Sequence, residues 1–241
     1  MTRFAARSLT AAFAASAVGA VALASSASAA TVAPGVPCAR YIPGVAGQAW
    51  VPMTGSAFTP NTDPTLPSVG FTWSDGSGGG STPLAADGSF ATRILMPNDF
   101  IRSASGWTKT YGLTATDLTT PGIAAATQVA FVRVGASIRP RRVRRVSRRV
   151  SWSVYGVPTG RVMYAHWTFK GRRLATRKLG RAAGPCGIVR KRAPFIPARP
   201  RTGTWRVWFA PTRRFSRRRA YFGYELHAFR TSRSRVAAAA S

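Results

Sequence analysis

The 241-residue sequence offers two histidines, His166 and His227, two cysteines, Cys38 and Cys186, and six carboxylates as raw material for acid–base, nucleophilic or metal chemistry. A Cys186/His166 pair would be a thiolate nucleophile with its base, the arginines around it lowering the thiol pKa. No further residue announces itself as the acid that would orient that base, so a hydrolase of this kind ranks last. A zinc site from both histidines and Cys186 lacks the short ligand spacing of zinc motifs. No catalytic residue, metal ligand or cofactor is therefore assigned. His166 shares a strand face with Tyr164 and His227 with Glu225, and each is expected to be a half-exposed, hydrogen-bonded strand residue. Asp63, Asp75, Asp87 and Asp99 recur every 12 residues. All but the last stand in turn-like contexts; aspartate bonds its own backbone in turns, and this spacing gathers no cluster into one loop, so they read as structural turn residues rather than calcium ligands.

The remaining chemistry is charge. Lysine and arginine number 35 against six acids, a formal net charge of +29. Hydrophobic residues still make up 45% and aromatics 11%, far more than a disordered polycation carries. The start of the chain has its own pattern: Arg3 and Arg7, an Ala-rich apolar run from Leu9 to Leu23, then small residues to Ala30. This is the layout of a secretory signal peptide with cleavage near Ala29 or Ala30, and the run is too weakly apolar for a membrane span. A secreted or cell-envelope location follows as an expectation. In that compartment Cys38 and Cys186 can pair, clasping the N-terminal arm onto the far half. Alternatively Cys186 is a small buried residue in the Gly184-Pro185-Cys186-Gly187 turn, with Cys38 free or paired between molecules.

Charge is unevenly placed. Between residues 30 and 137, Arg40, Arg93, Arg102, Lys109 and Arg133 are balanced by Asp63, Asp75, Asp87, Asp99 and Asp117. After residue 137 Glu225 is the one acid, against all the other basic residues outside the leader. The run Arg139 to Arg149, opened by Pro140, reads as a basic linker (138–149) between two modules, 30–137 and 150–231, with a frayed tail over 232–241. The arginines with most binding potential are Arg141, Arg142, Arg144, Arg145, Arg148 and Arg149 in the linker, then Arg172, Arg173, Arg213, Arg214, Arg217, Arg218 and Arg219. Their planar guanidinium forks suit phosphate or carboxylate polymers. Trp167, Trp205, Trp208, Phe215 and Tyr221 lie among them and could stack on bases or sugars, or be core. No recognition helix, zinc finger or RNP-like motif is present, so nucleic acid would be held only non-specifically. Anionic envelope polymers or a membrane surface fit the expected compartment better.

The elements that must position these residues are strands. Val69 to Trp73, Phe90 to Met96, Tyr111 to Ala115 and Val129 to Val134 alternate or run apolar between Gly, Pro and Asp turns, and Asp75 to Ser81 reads as a flexible loop. In the second half Val150, Trp152 and Val154 alternate, as do Met163 to Phe169, Trp205 to Phe209 and Phe222 to Ala228. Short strands at this spacing, with no long amphipathic helix, predict an all-β chain of two sandwiches.

Thr54-Gly55-Ser56-Ala57-Phe58-Thr59-Pro60-Asn61, Ala86-Asp87-Gly88-Ser89-Phe90 and Leu113-Thr114-Ala115-Thr116-Asp117 resemble bacterial immunoglobulin-like domains of secreted actinobacterial proteins. Val162 to His166, Leu179-Gly180, Gly184 to Gly187 and Gly203-Thr204-Trp205 are similar to a companion module of that group. The resemblance implies two tandem immunoglobulin-like β-sandwiches and no activity, such modules serving as spacers, displays or adhesive surfaces. The Gly55 to Pro60 turn recurs loosely as Gly156-Val157-Pro158, as in a duplicated fold.

Overall fold

A computed structural model describes residues 29–43, 45, 49–63, 65–102, 107–143, 148–197 and 201–228 in full, and 236–238 as backbone. The expected signal peptide, apart from its last residue, lies outside the described residues, as do Arg144 and Arg145. The chain is nearly all β, as the alternation predicts. The first module contains β1 (Thr31–Pro34), β2 (Ala39–Tyr41), β3 (Trp50–Ser56), β4 (Val69–Trp73), β5 (Gly78–Thr82), β6 (Phe90–Leu95), the short helix α1 (Asn98–Arg102), β7 (Thr108–Asp117) and β8 (Ala124–Arg133). They form a three-stranded sheet β1-β3-β6 and a five-stranded sheet β2-β8-β7-β4-β5. Val51, Met53 and Ile94 from the first sheet and Phe71, Trp73, Leu113 and Phe131 from the second share one core. This strand order over a common core is an immunoglobulin-like sandwich.

The second module repeats the plan with β9 (Gly135–Arg139), β10 (Arg142–Val143), β11 (Arg149–Tyr155), β12 (Val162–Phe169), β13 (Arg172–Arg181), β14 (Val189–Pro194), β15 (Gly203–Ala210), β16 (Phe222–Ala228) and β17 (Val236–Ala238). Its sheets are β14-β11-β9 and β10-β17-β16-β15-β12-β13. Strand for strand, β9, β11 and β14 take the places of β1, β3 and β6. The difference lies at one edge. In the first module β2 pairs directly and in parallel with β8, whereas β17 is interposed between β10 and β16 and is antiparallel to both. Trp152, Trp167, Trp205, Phe195 and Phe209 fill the core without measurable exposure. Burying such aromatics contributes about 2–3 kcal/mol each, and Trp167 Nε1 donates to the Phe195 carbonyl at 2.9 Å, so its polar atom is not left unpaired.

Three expectations change. Much of the stretch 138–149 belongs to the second sandwich instead of linking to it: Ile138 in β9 and Val143 in β10 are 1% and 3% exposed and anchor both strands in the second core, while 144–147 lie outside the described residues. Their arginine neighbours point outward and hide the pattern. The flexible loop at 75–81 is in part strand: Gly78–Thr82 pairs with β4, its backbone bonds serving where its side chains carry no apolar signal. Within the tail, Val236–Ala238 is held as β17 between two strands instead of fraying.

The modules meet abruptly, with Val134 alone between β8 and β9. Its N–H donates to the Tyr41 carbonyl at 2.9 Å. Trp107 from the first module stacks on Tyr155 from the second, ring centroids 5.1 Å apart and planes 4° from parallel. Beside that stack Cys38 and Cys186 are joined in a disulfide spanning 148 positions, packed with Val132, Tyr155 and Ile188. Gly187 is obligatory next to it: at φ 58° an added Cβ would lie 1.6 Å from the Val157 carbonyl oxygen.

Aspartates shape the turns of the first module. Asp63, Asp75, Asp87 and Asp117 each accept the backbone N–H and the hydroxyl of the residue two positions on, Thr65, Ser77, Ser89 and Thr119. Asp117, 3% exposed, also accepts the N–H groups of Thr59 and Thr120 at 2.8 and 2.9 Å. Burial alone would raise its carboxyl, but the Thr119 hydroxyl and these backbone donors outweigh burial and hold it at about 2. Since its unfolded pKa is 3.8, the stabilisation of about 2 kcal/mol is complete above that pH and is lost as pH falls from there to about 2. Asp117→Asn is expected to lower stability by about that amount at neutral pH and to flatten the acid limb of a urea-midpoint-versus-pH curve.

Opening the 148-position link by reduction or by C38S/C186S is expected to cost up to roughly 5 kcal/mol. Paired melts with and without reductant measure it, and an unchanged melting temperature refutes it.

Candidate anion-binding face

The nucleophilic pairing does not form. The Cys186 sulfur is bonded to Cys38, so no thiolate is available. His166 is wholly buried, not half-exposed. Its outward-facing position on β12 is covered by the chain after β15, which lays Phe215 against the imidazole at 5.3 Å between centroids. Nε2 donates to the Thr212 carbonyl at 3.0 Å, which leaves Nδ1 to accept the Thr176 hydroxyl at 2.9 Å. His227 faces Thr204, Nδ1 to Oγ1 3.3 Å, from the neighbouring strand β16. Among the described residues no group of three or more His, Cys, Asp or Glu side chains could hold a metal ion.

The basic residues divide between the two outer faces of the second module. Arg149 lies on the small sheet, where its Nη2 donates to the Arg192 carbonyl at 2.9 Å. Arg148 is exposed just before it, and Arg141 and Arg142 lie at the β10 edge. On the large sheet, alternation turns Met163, Ala165 and Trp167 into the core and Tyr164, His166 and Thr168 outward. The two-residue turn Lys170-Gly171, both at positive φ, then folds β13 back along β12 as a tight hairpin. Because β13 is an edge strand, its residues are mostly exposed.

The large sheet and the segment after β15 together enclose a groove of about 820 Å³, lined by Tyr164, Arg173, Leu174, Ala175, Thr176, Arg177, Lys178, Arg213 and Arg214. Five cations and no carboxylate line it. Of the arginines singled out from sequence, Arg173, Arg213 and Arg214 converge here. Arg172, Arg218 and Arg219 are exposed nearby in sequence but do not line it. Arg177 and Lys178 were missed, though the Lys-Gly hairpin after Phe169 was a signal that could have found their strand.

Across Phe215 a smaller groove of about 230 Å³ contains Lys170, Thr204, Arg206, Trp208, Arg217 and Glu225. Trp208 is half-buried, its Nε1 donating to Thr168 Oγ1 at 3.2 Å. The guanidinium carbons of Arg206 and Arg217 sit 5.5 and 5.1 Å from its ring centroid. Arg206 also pairs with Glu225, and that hydrogen bond, with the attraction of the guanidinium, holds the Glu225 carboxyl below its usual range. Of the other aromatics considered for stacking, Trp167 and Trp205 belong to the core and Tyr221 is exposed.

No family model matches the chain, and no curated protein is similar to it in sequence. Solved structures similar to it in fold include a tetra-tandem repeat from the extending region of a large adhesion protein, at 16% identity over 82% of this chain with a TM-score of 0.27. This chain spans 47% of that structure's length. The human OSCAR ligand-binding domain is 13% identical over 75% of this chain and 88% of its own, TM-score 0.27. The periplasmic chaperone SfaE is 12% identical over 73% and 91%, TM-score 0.26. At such scores the likeness carries no functional argument, and the site rests on its own geometry.

That geometry makes one prediction for His166. Burial, with the nearby Arg173 charge, lowers its pKa, against the raising influence of its bond to the Thr212 carbonyl. A lowered folded pKa means the stabilisation is complete above about 6.5 and is lost as pH falls below it. The second module is therefore expected to lose stability in thermal melts as pH falls below about 6.5, and His166→Gln to remove that dependence. A melting temperature that stays flat over that fall contradicts it.

Proposed function

We propose that the chain is an exported, non-catalytic protein of the kind its motifs resemble, the secreted immunoglobulin-like proteins of actinobacteria, and that its second module holds it electrostatically to an anionic polymer or membrane surface of the cell envelope. The observation that carries this is the groove in which Arg173, Arg177, Lys178, Arg213 and Arg214 converge without a carboxylate. Five like charges kept together with no acid among them raise a potential that an anion relieves, and arginine forks bind phosphate or carboxylate pairs bidentately. The first module, whose charges cancel, takes no part in this attraction and stands off the surface as a spacer.

Retention on heparin and on cell-wall fractions across a salt series tests the reading. Binding is expected to survive above about 0.15 M salt and to weaken linearly in log–log form. Arg213→Gln with Arg214→Gln is expected to reduce the salt slope by about 2. Release from both matrices below about 0.15 M, or an unchanged slope in the double variant, sinks the proposal.

A further inference from the structure

The smaller groove says which kind of anion. Glu225 is the single carboxylate after residue 137, and it lies in a groove beside the all-cation one, on the same outer face. A carboxylate there repels a polymer whose every unit is charged. It is, however, a strong acceptor for hydroxyl groups, and its pairing with Arg206 fixes its position. Thr204 adds an exposed hydroxyl to the same groove, and Lys170 an ammonium group.

The rings connecting the two grooves form a continuous row. Tyr164 to His166, His166 to Phe215 and Phe215 to Trp208 are 6.5, 5.3 and 6.4 Å apart between centroids. His166 is buried beneath Phe215, so the row sets the two grooves side by side, and one extended polymer can place groups in both. A nucleobase is a poor fit for the second groove, because Arg206 and Arg217 already lie against the Trp208 ring and a stacked base would have to displace them.

We infer that the polymer alternates phosphodiesters with hydroxyl-bearing units, a sugar or polyol phosphate. The phosphodiester sits among Arg173, Arg177, Lys178, Arg213 and Arg214, and the hydroxyls donate to Glu225. This rests on the electrostatic reading above and adds the chemistry of the neutral units between the charges.

Direct titration of the full chain with poly(ribitol phosphate), inorganic polyphosphate and oligo-dT, followed by calorimetry at fixed salt, separates the two layers. Glu225→Gln is expected to weaken poly(ribitol phosphate) about tenfold, the difference between a hydrogen bond to a charged acceptor and one to a neutral acceptor, and to leave polyphosphate unchanged or tighter, since a repelling charge has gone. Thr204→Val, which alters no charge at an exposed position, is expected to weaken poly(ribitol phosphate) alone. Opposite responses of the two polymers cannot come from a general loss of folding. If Glu225→Gln moves both polymers the same way or neither, or if oligo-dT binds as tightly as poly(ribitol phosphate) and loses that affinity in Trp208→Ala, the inference fails while the electrostatic reading stands. If none of the three probes is held above about 0.15 M salt, the electrostatic reading itself fails.

Discussion

Like-charge repulsion in the second module is the constraint to which the rest of the structure answers. One carboxylate, Glu225, is set against all the basic residues after residue 137, so the folded module pays an electrostatic penalty that its core must exceed. The core is accordingly aromatic: Trp152 meets Trp167 edge-on at 5.7 Å and Phe209 at 5.9 Å, and Phe209 meets Phe222 at 4.9 Å. Rings of this size bury the most apolar surface per residue, with edge contacts adding to it. The same repulsion explains why an anion would stabilise as well as bind. Any ligand that prefers the folded module shifts its unfolding equilibrium, and an anionic one would also cancel charge.

The junction is the second determinant. A connection of one residue, Val134, leaves little freedom between the sandwiches, and the disulfide with its Trp107–Tyr155 stack removes more. The first module spends its own charges locally. Arg133 is laid against Tyr41 and Phe100 and donates to the carbonyls of Phe100 and Ile101 at the end of α1, while Asp99 pairs with Lys109. Its aspartates fold back on their own turns. Lys109–Asp99 is the ion pair of this module among the described residues, so the first half is neutral chiefly by count.

How much of this could be read from sequence depended on whether a strand had a buried face. Val69 to Trp73, Met163 to Phe169 and Trp205 to Phe209 alternate against a core, and their extents are legible to a residue or two. β5 and β13 are edge strands whose side chains are small or charged, so no period of two survives in them, and the backbone pairing that defines them leaves no compositional trace. The linker over 138–149 was misread for the opposite reason: exposed arginines outnumber Ile138 and Val143, and the two buried positions decide the structure. The candidate groove was half legible. Arg173, Arg213 and Arg214 could be named as cations, but that they meet depends on β13 pairing with β12 and on the path of the chain after β15. His166 looked like a half-exposed strand residue because the cover over it comes from Phe215, 49 positions away in the chain and unrelated to it by any local pattern.

The disulfide has a mechanical consequence for the chain under tension. If the two termini are pulled apart, tension entering at Cys38 crosses through sulfur to Cys186 and bypasses the 148-position loop between them. Strands β2 to β13 belong to that slack loop and bear no load while the bond is intact. What remains in the load path is the short arm before Cys38, carrying β1, and the segment after Cys186, carrying β14 to β17. An oxidised molecule can thus lengthen only by drawing out β1 and β14 to β17, which takes β15 to β17 from within the large sheet, while the rest of the first sandwich stays inside the inextensible link. Reduction would convert the same molecule into one with both modules available to unravel, so the redox state of one bond sets how far it can stretch.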